Sequence, residues 1–515
     1  MLGMSFPHSR GTGGISTFHY FQVTLISPLI AMTYLTILIA STLAIPTACS
    51  SQLHDCFQPP KLPHANHIFN AVHSVMNQWG SSVNHNGMSI FLATIPEDLL
   101  LYHGDSRAEP VKGMQWMAFE PEHASLFVKR ENVGSFAGKI SDGNSRRKEM
   151  DYSHEEVGRA NASTRLKERM VGWLHDYRTV RALRVLYLDG MSAAKSKKGT
   201  MDLQDIVLLN HESENSTISD MDRATRMCTL FQTTGHGNID GVIRMEGGFE
   251  VILCHSEDVL EPVLIKQSKP LAGDTPGLNA NADIAFEYYK AVASRYFGIG
   301  GGRVIVDFES MVSGYAYLAE GPDHSKTRRI RDILPSGGKN MREAAMKLLL
   351  QEPHQMEHHD WQRVADMIVS RYATHLGLLA GFTDPLSFRQ GLKAVTESFY
   401  SLQNSQVDAA VKRCAMQDIP TRYNDVLAAN AIIAISTTIC QNIIHASVED
   451  NDTVSIEKIQ ALVVYLNWPT WRFCERCKPE EICWTPIWPL GGFQDKLNPR
   501  CISEAPDPLE RSYWR

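Results

Sequence analysis

The chain has no surplus of positive charge. Its 50 Lys and Arg face 57 Asp and Glu, a net charge of −7 over 515 residues. That balance excludes a general electrostatic attraction to nucleic acid or to anionic membrane. The basic group Lys326, Arg328, Arg329 and Arg331 is too short to change this and reads as a solvated face. No Gly-x-Ser-x-Gly elbow occurs, so no serine hydrolase of that type is indicated. Ser336-Gly337-Gly338-Lys339 lacks full phosphate-loop spacing. The glycines at 298 and 300–302 precede an apolar run instead of following one, the reverse of a dinucleotide fingerprint. No internal repeat is evident.

Hydrophobic content of 43% marks a globular chain, and its length implies two or three domains. Phe21 to Ala44 carries no charge. A bilayer span needs about 20 apolar residues, so the stretch can anchor the chain. Arg10 lies before it and no Lys or Arg follows until Lys61, which places residues 1–20 in the cytosol and the remainder in the lumen or outside. Cleavage of the segment would give a secreted protein instead. Ten cysteines, and sequons at Asn161, Asn215 and Asn451, agree with export and glycosylation. The second apolar run, from Val426 to Ala446, contains Asn430, Ser436, Thr437, Thr438, Gln441 and Asn442 and reads as a buried helix.

Patterning along the chain points to an α+β fold. A helix is expected from Asn66 to Trp79, closed by Gly80. Strands follow at Met88–Ile95 and Leu99–His103, with a polar insertion from Lys129 to Arg159. Arg165–Tyr177 reads as helix, Arg184–Asp189 as strand and Met221–Thr233 as helix. Gly241–Met245 and Phe249–Cys254 read as a hairpin turning at Glu246-Gly247-Gly248. Residues 263–280 look like a boundary, beyond which helices dominate. The expected order is therefore a tail (1–20), a membrane anchor or signal (21–48), a mixed domain (62–262), a helical domain (281–450) and a Cys/Trp-rich tail (451–515).

One carboxylate, Glu250, stands between Phe249 and Val251 on an apolar strand, and a lone buried charge requires a partner. Upstream lie Tyr102-His103-Gly104, then Trp116-Met117-Ala118, then Ala124 to Phe127. This ordered set over residues 66–255 resembles the ADP-ribosyltransferase fold, the NAD-binding clan with a histidine–aromatic–glutamate triad. The resemblance implies NAD as substrate, with transfer to an unknown acceptor or to water. It implies His103 as ribose anchor, Gly104 as backbone contact to the carboxamide, and Trp116 at the triad aromatic position. Phe127 takes the position that stacks on nicotinamide, and Glu250 that of the catalytic carboxylate. Both aromatics depart from tyrosine. Gly248 replaces the Gln or Glu of the arginine-modifying branch, which argues against arginine as acceptor. The competing reading is a non-catalytic lumenal or surface interaction protein, or an accessory protein in small-molecule biosynthesis.

No metal is expected. His354 and His358 share helical spacing, but in a polar context with Asp360 placed as a cap. Cys474, Cys477, Cys483 and Cys501 could hold zinc by number alone. In an oxidising compartment disulfides are expected, with the neighbouring tryptophans packed around them.

Overall fold

A computed structural model describes residues 60–128, 172–211, 218–269, 282–292, 298, 302–319, 328–333, 337–351, 359–400, 406–420, 423, 425–506 and 513–514. The expected anchor (21–48), the sequons Asn161 and Asn215, and His354 and His358 lie outside the described residues.

Nine strands join in one sheet: β1 (Ser89–Ile95), β2 (Leu100–Asp105), β3 (Gln115–Ala118), β4 (Gly172–Thr179), β5 (Leu183–Leu188), β6 (Gly241–Met245), β7 (Phe249–Leu253), β8 (Leu260–Ser268) and β9 (Ile305–Ser313). Their order is β8-β4-β2-β3-β7-β6-β5-β1-β9. Neighbours are antiparallel except β5 and β6. That parallel pair requires a crossover, which includes the helix Asp220–Thr233. Inner strand β5, Leu-Arg-Val-Leu-Tyr-Leu, is apolar almost throughout because both of its faces are covered. Met88, Ile90, Leu186, Leu188, Val242 and Ile252 pack on one face beneath Leu203, Met227, Phe231 and Leu348.

The sheet has a weak seam. β2 and β3 share a single register pair, Tyr102 with Ala118. On either side of it the half-sheets are fully laddered, β2 to β4 over six residues and β3 to β7 over four.

Several elements differ from the expected pattern. The segment read as a helix over 165–177 is strand β4 from Gly172 onward. Its Leu174, His175 and Tyr177 are buried, and cross-strand pairing outweighs a helical periodicity that was only local. The first helix ends at His73. Met76 takes a left-handed φ of 51°, and a second helix, Gln78–Val83, starts under an Asn77 cap. Gly80 therefore lies inside that second helix and does not end the first. The supposed boundary from 263 onward begins as edge strand β8.

The mixed and helical segments share one compact unit, Gln58–Arg515. Strand β9, which follows the presumed boundary, pairs with β1. Helix Leu427–Val448 packs on Ala65–His73, Val407–Met416 and Asp452–Leu466. Among the described residues it alone is long and apolar enough to cross a membrane, and it is mostly buried inside the protein. Disulfides join Cys228–Cys254, Cys414–Cys440, Cys474–Cys483 and Cys477–Cys501. The last two consume the cysteines that could have held zinc. Trp468 stacks on Trp471, and Trp484 is fully buried beside Cys483. The sequon residue Asn451 is exposed and caps Asp452–Leu466, its side chain accepting from Thr453 N at 3.0 Å.

Candidate functional site

The β6–β7 hairpin places Arg244 directly opposite Glu250, and β3 places Ala118 on the other side. In-register residues share a face, so Arg244, Glu250, Ala118 and Tyr102 form one row across four strands. Glu250 is 5% exposed and Arg244 1%. Arg244 Nε donates to Glu250 Oε1 at 2.7 Å, and Arg244 Nη1 donates to Gln204 Oε1 at 3.1 Å. Lys195 and Asp220 extend the network, 2.6 Å apart, with Asp220 3.7 Å from Arg244 Nη2. The buried carboxylate therefore has the partner its position demands.

His123, also buried, completes the cluster. It lies on the short helix Pro121–Ser125, with Nδ1 3.1 Å from the Tyr288 hydroxyl and Nε2 3.6 Å from Glu250 Oε2. The second distance is too long for a hydrogen bond but within ion-pair range. Tyr288 reaches this point only because residue 248 is glycine: a Cβ there would sit 2.1 Å from the hydroxyl.

Burial works against ionisation of Glu250, but the Arg244 guanidinium, aided by His123, outweighs it and holds the carboxyl down at about 2. Glu246, buried in the hairpin turn, behaves oppositely. Burial, with the Glu250 charge adding to it, pushes Glu246 up to about 7 against the pull of Lys195. One hairpin thus carries two carboxyls of opposite proton affinity, the pattern expected of an acid and an ionised partner.

The other expected site residues are distributed differently. His103 is next to Tyr102, so strand alternation turns it to the face opposite Glu250. Its Nδ1 donates to the Trp116 carbonyl across the seam at 2.7 Å, and its ring meets His175 edge-on. Gly104 lies under the helix of His123, where a Cβ would fall 2.3 Å from the Ala124 carbonyl oxygen. Trp116 packs against the main core. Phe127, half-buried, lies 5.3 Å from the His123 ring. Glu250 and the stretch from Ala118 to Phe127 are therefore gathered around His123, whereas His103 is not joined to Glu250.

The sequence pattern does not single out Arg244, His123, Tyr288 or Glu246. Arg244 was accessible: in a hairpin centred on Gly247, residues 244 and 250 must face each other. Tyr288 was not, because nothing local ties it to Gly248.

Residues 50–287 match the family model described as YPL277C N-terminal domain, which spans β1 to β8 and all the site residues named here except Tyr288. The chain is 24% identical to Uncharacterized protein YOR389W of Saccharomyces cerevisiae over 529 aligned positions, 82% of each chain. It is 27% identical to Uncharacterized protein YPL277C of the same yeast over 230 positions, 41% of this chain and 44% of the relative. No solved structure matches.

Proposed function

We propose that this chain is an exported protein that binds NAD and cleaves its nicotinamide–ribose bond, transferring ADP-ribose to an acceptor or to water. The observation that carries the reading is the Glu250 carboxylate, ionised, fixed by Arg244 and shielded from solvent. An oxocarbenium-like charge develops on the ribose as nicotinamide leaves, and a preorganised carboxylate in a dry site is what stabilises it. With water as acceptor, NAD+ and H2O give ADP-ribose, nicotinamide and a proton. His123, 3.6 Å from Glu250, is placed to take that proton. Phe127 offers an aromatic face beside it. The residues fit NAD in part: Glu250 and Phe127 are gathered at His123, whereas His103 lies on the opposite face of the sheet and would meet a ribose at Glu250 only after a rearrangement of β2.

Export is supported by the four disulfides and the exposed Asn451 sequon. Residues 21–48 would provide the membrane attachment, or a secreted form if cleaved.

The test is calorimetric titration of the purified chain with NAD beside an assay of nicotinamide release. Glu250→Gln should retain binding and lose turnover by about 10²–10³-fold, and His103→Ala should weaken binding. Absence of saturable binding at millimolar NAD would end the proposal. It would leave the second reading, a non-catalytic interaction protein, which the Arg244–Glu250 ion pair favours because that pair alone accounts for a buried carboxylate.

A further inference from the structure

Beside the turn that follows β5, a cavity of about 20 Å³ is lined by Asn70, Ser74, Asn86 and Asp189, with Tyr315 at its wall. It has room for one or two water-sized occupants and not for a sugar or a nucleotide. Three of its side-chain oxygens, Asn70 Oδ1, Ser74 Oγ and Asn86 Oδ1, have no hydrogen-bond partner. Their residues are 3%, 8% and 7% exposed. Buried polar atoms are rarely left in this state, so a group of three requires an explanation.

Both amides are held from behind. Asn70 Nδ2 donates to the carbonyls of Leu466 and Asn467 at 3.0 and 3.4 Å. Asn86 Nδ2 donates to those of Lys198 and Arg328 at 2.7 and 3.1 Å. Flipping either amide would set its oxygen against two carbonyls, so both Oδ1 atoms remain acceptors facing the cavity. Asp189 adds a buried carboxylate whose Oδ1 accepts from Ser89 N at 2.8 Å. Its position is fixed by Gly190, at a left-handed φ of 68°, and by Gly87, where a Cβ would lie 2.0 Å from the Asp189 carbonyl oxygen. The lining is rich in oxygen acceptors and holds one buried carboxyl, Asp189, which burial pushes up to about 7.

We propose that this cavity binds a hard divalent cation of the calcium class through Asn70, Ser74, Asn86 and Asp189. All-oxygen ligands, mostly neutral, suit such an ion and not a thiophilic one. A single carboxylate sets weak affinity, in the range of about 10⁻⁴–10⁻³ M seen for extracellular calcium modules. The site lies apart from the Glu250 cluster and does not depend on the NAD reading.

The experiment uses the full chain, dialysed against chelator and titrated with calcium chloride by calorimetry and by thermal unfolding, with magnesium and potassium chloride in parallel. The expected result is one saturable calcium site with a rise in Tm. Asp189→Asn should abolish it and Ser74→Ala should weaken it, with unchanged circular dichroism in the absence of calcium. No saturable response in the wild-type chain up to about 10 mM would overturn the proposal and assign the cavity to water. A response equally strong in both variants would also overturn it, by placing the ion elsewhere.

Discussion

Glu250 and His103 lie on strands separated only by β3, yet they have opposite surroundings. Glu250 is centred in a closed network of Arg244, Gln204 and His123 on a fully laddered hairpin. His103 borders a seam with one register pair, bonds the Trp116 backbone carbonyl and meets the His175 ring. The first is a charge that burial forces to be satisfied. The second is a polar ring bonded to the backbone of the neighbouring strand.

The largest effect that would separate the two belongs to Arg244→Ala. It leaves Glu250 buried without its counter-charge and should destabilise the fold by about 3–5 kcal/mol in chemical denaturation. A loss below about 1 kcal/mol would mean that solvent reaches Glu250 and that the network is open.

The next effect is a dependence on pH. The Glu250 carboxyl is depressed from 4.5 to about 2, so its contribution is complete above its unfolded value and is lost as pH falls from 4.5 towards 2. Glu246 is raised from 4.5 to about 7, so the folded state holds its proton longer and stability falls as pH rises through that interval. The hairpin therefore favours a stability maximum near pH 4.5. Glu246→Gln should flatten the neutral limb by on the order of 3 kcal/mol, read from denaturation midpoints at pH 4.5 and 7.5. An unaltered neutral limb in that variant would show that Glu246 is solvated.

A smaller effect is expected at the seam. Gly104→Ala drives a methyl group into the backbone of Ala124 and should cost about 1–3 kcal/mol, measured by thermal unfolding. An unchanged Tm would show that the helix bearing His123 can lift from β2.

Much of this arrangement is legible in the sequence. The lone Glu in Phe249–Leu253 implied a buried partner, the hairpin around Gly247 named its register, and the polar residues within Val426–Ala446 marked a core helix. The tail cysteines were readable as disulfides once export was inferred. What escaped was non-local. Strand β4 carries a helical-looking pattern, and only the ladders with β2 and β8 decide its state. His103 was placed with Glu250 by motif order, but a one-residue step on a strand reverses the face, and only the pairing of Tyr102 with Ala118 fixes which residue faces Glu250. Tyr288 arrives from 40 residues beyond Gly248, a distance at which sequence carries no geometric information.

Strand β8 has a bearing on how the molecule behaves in a crowded solution. It forms one rim of the sheet, with Val263 and Leu264 each 48% exposed, and an unguarded rim of that kind recruits strands from other molecules. Pro262 offers no N–H to an incoming strand, Lys266 carries a charge that would have to shed water, and the irregular register between Asp176 and Tyr177 bends the ladder beneath them. Two apolar side chains are therefore left in the open on a margin that other chains are discouraged from joining.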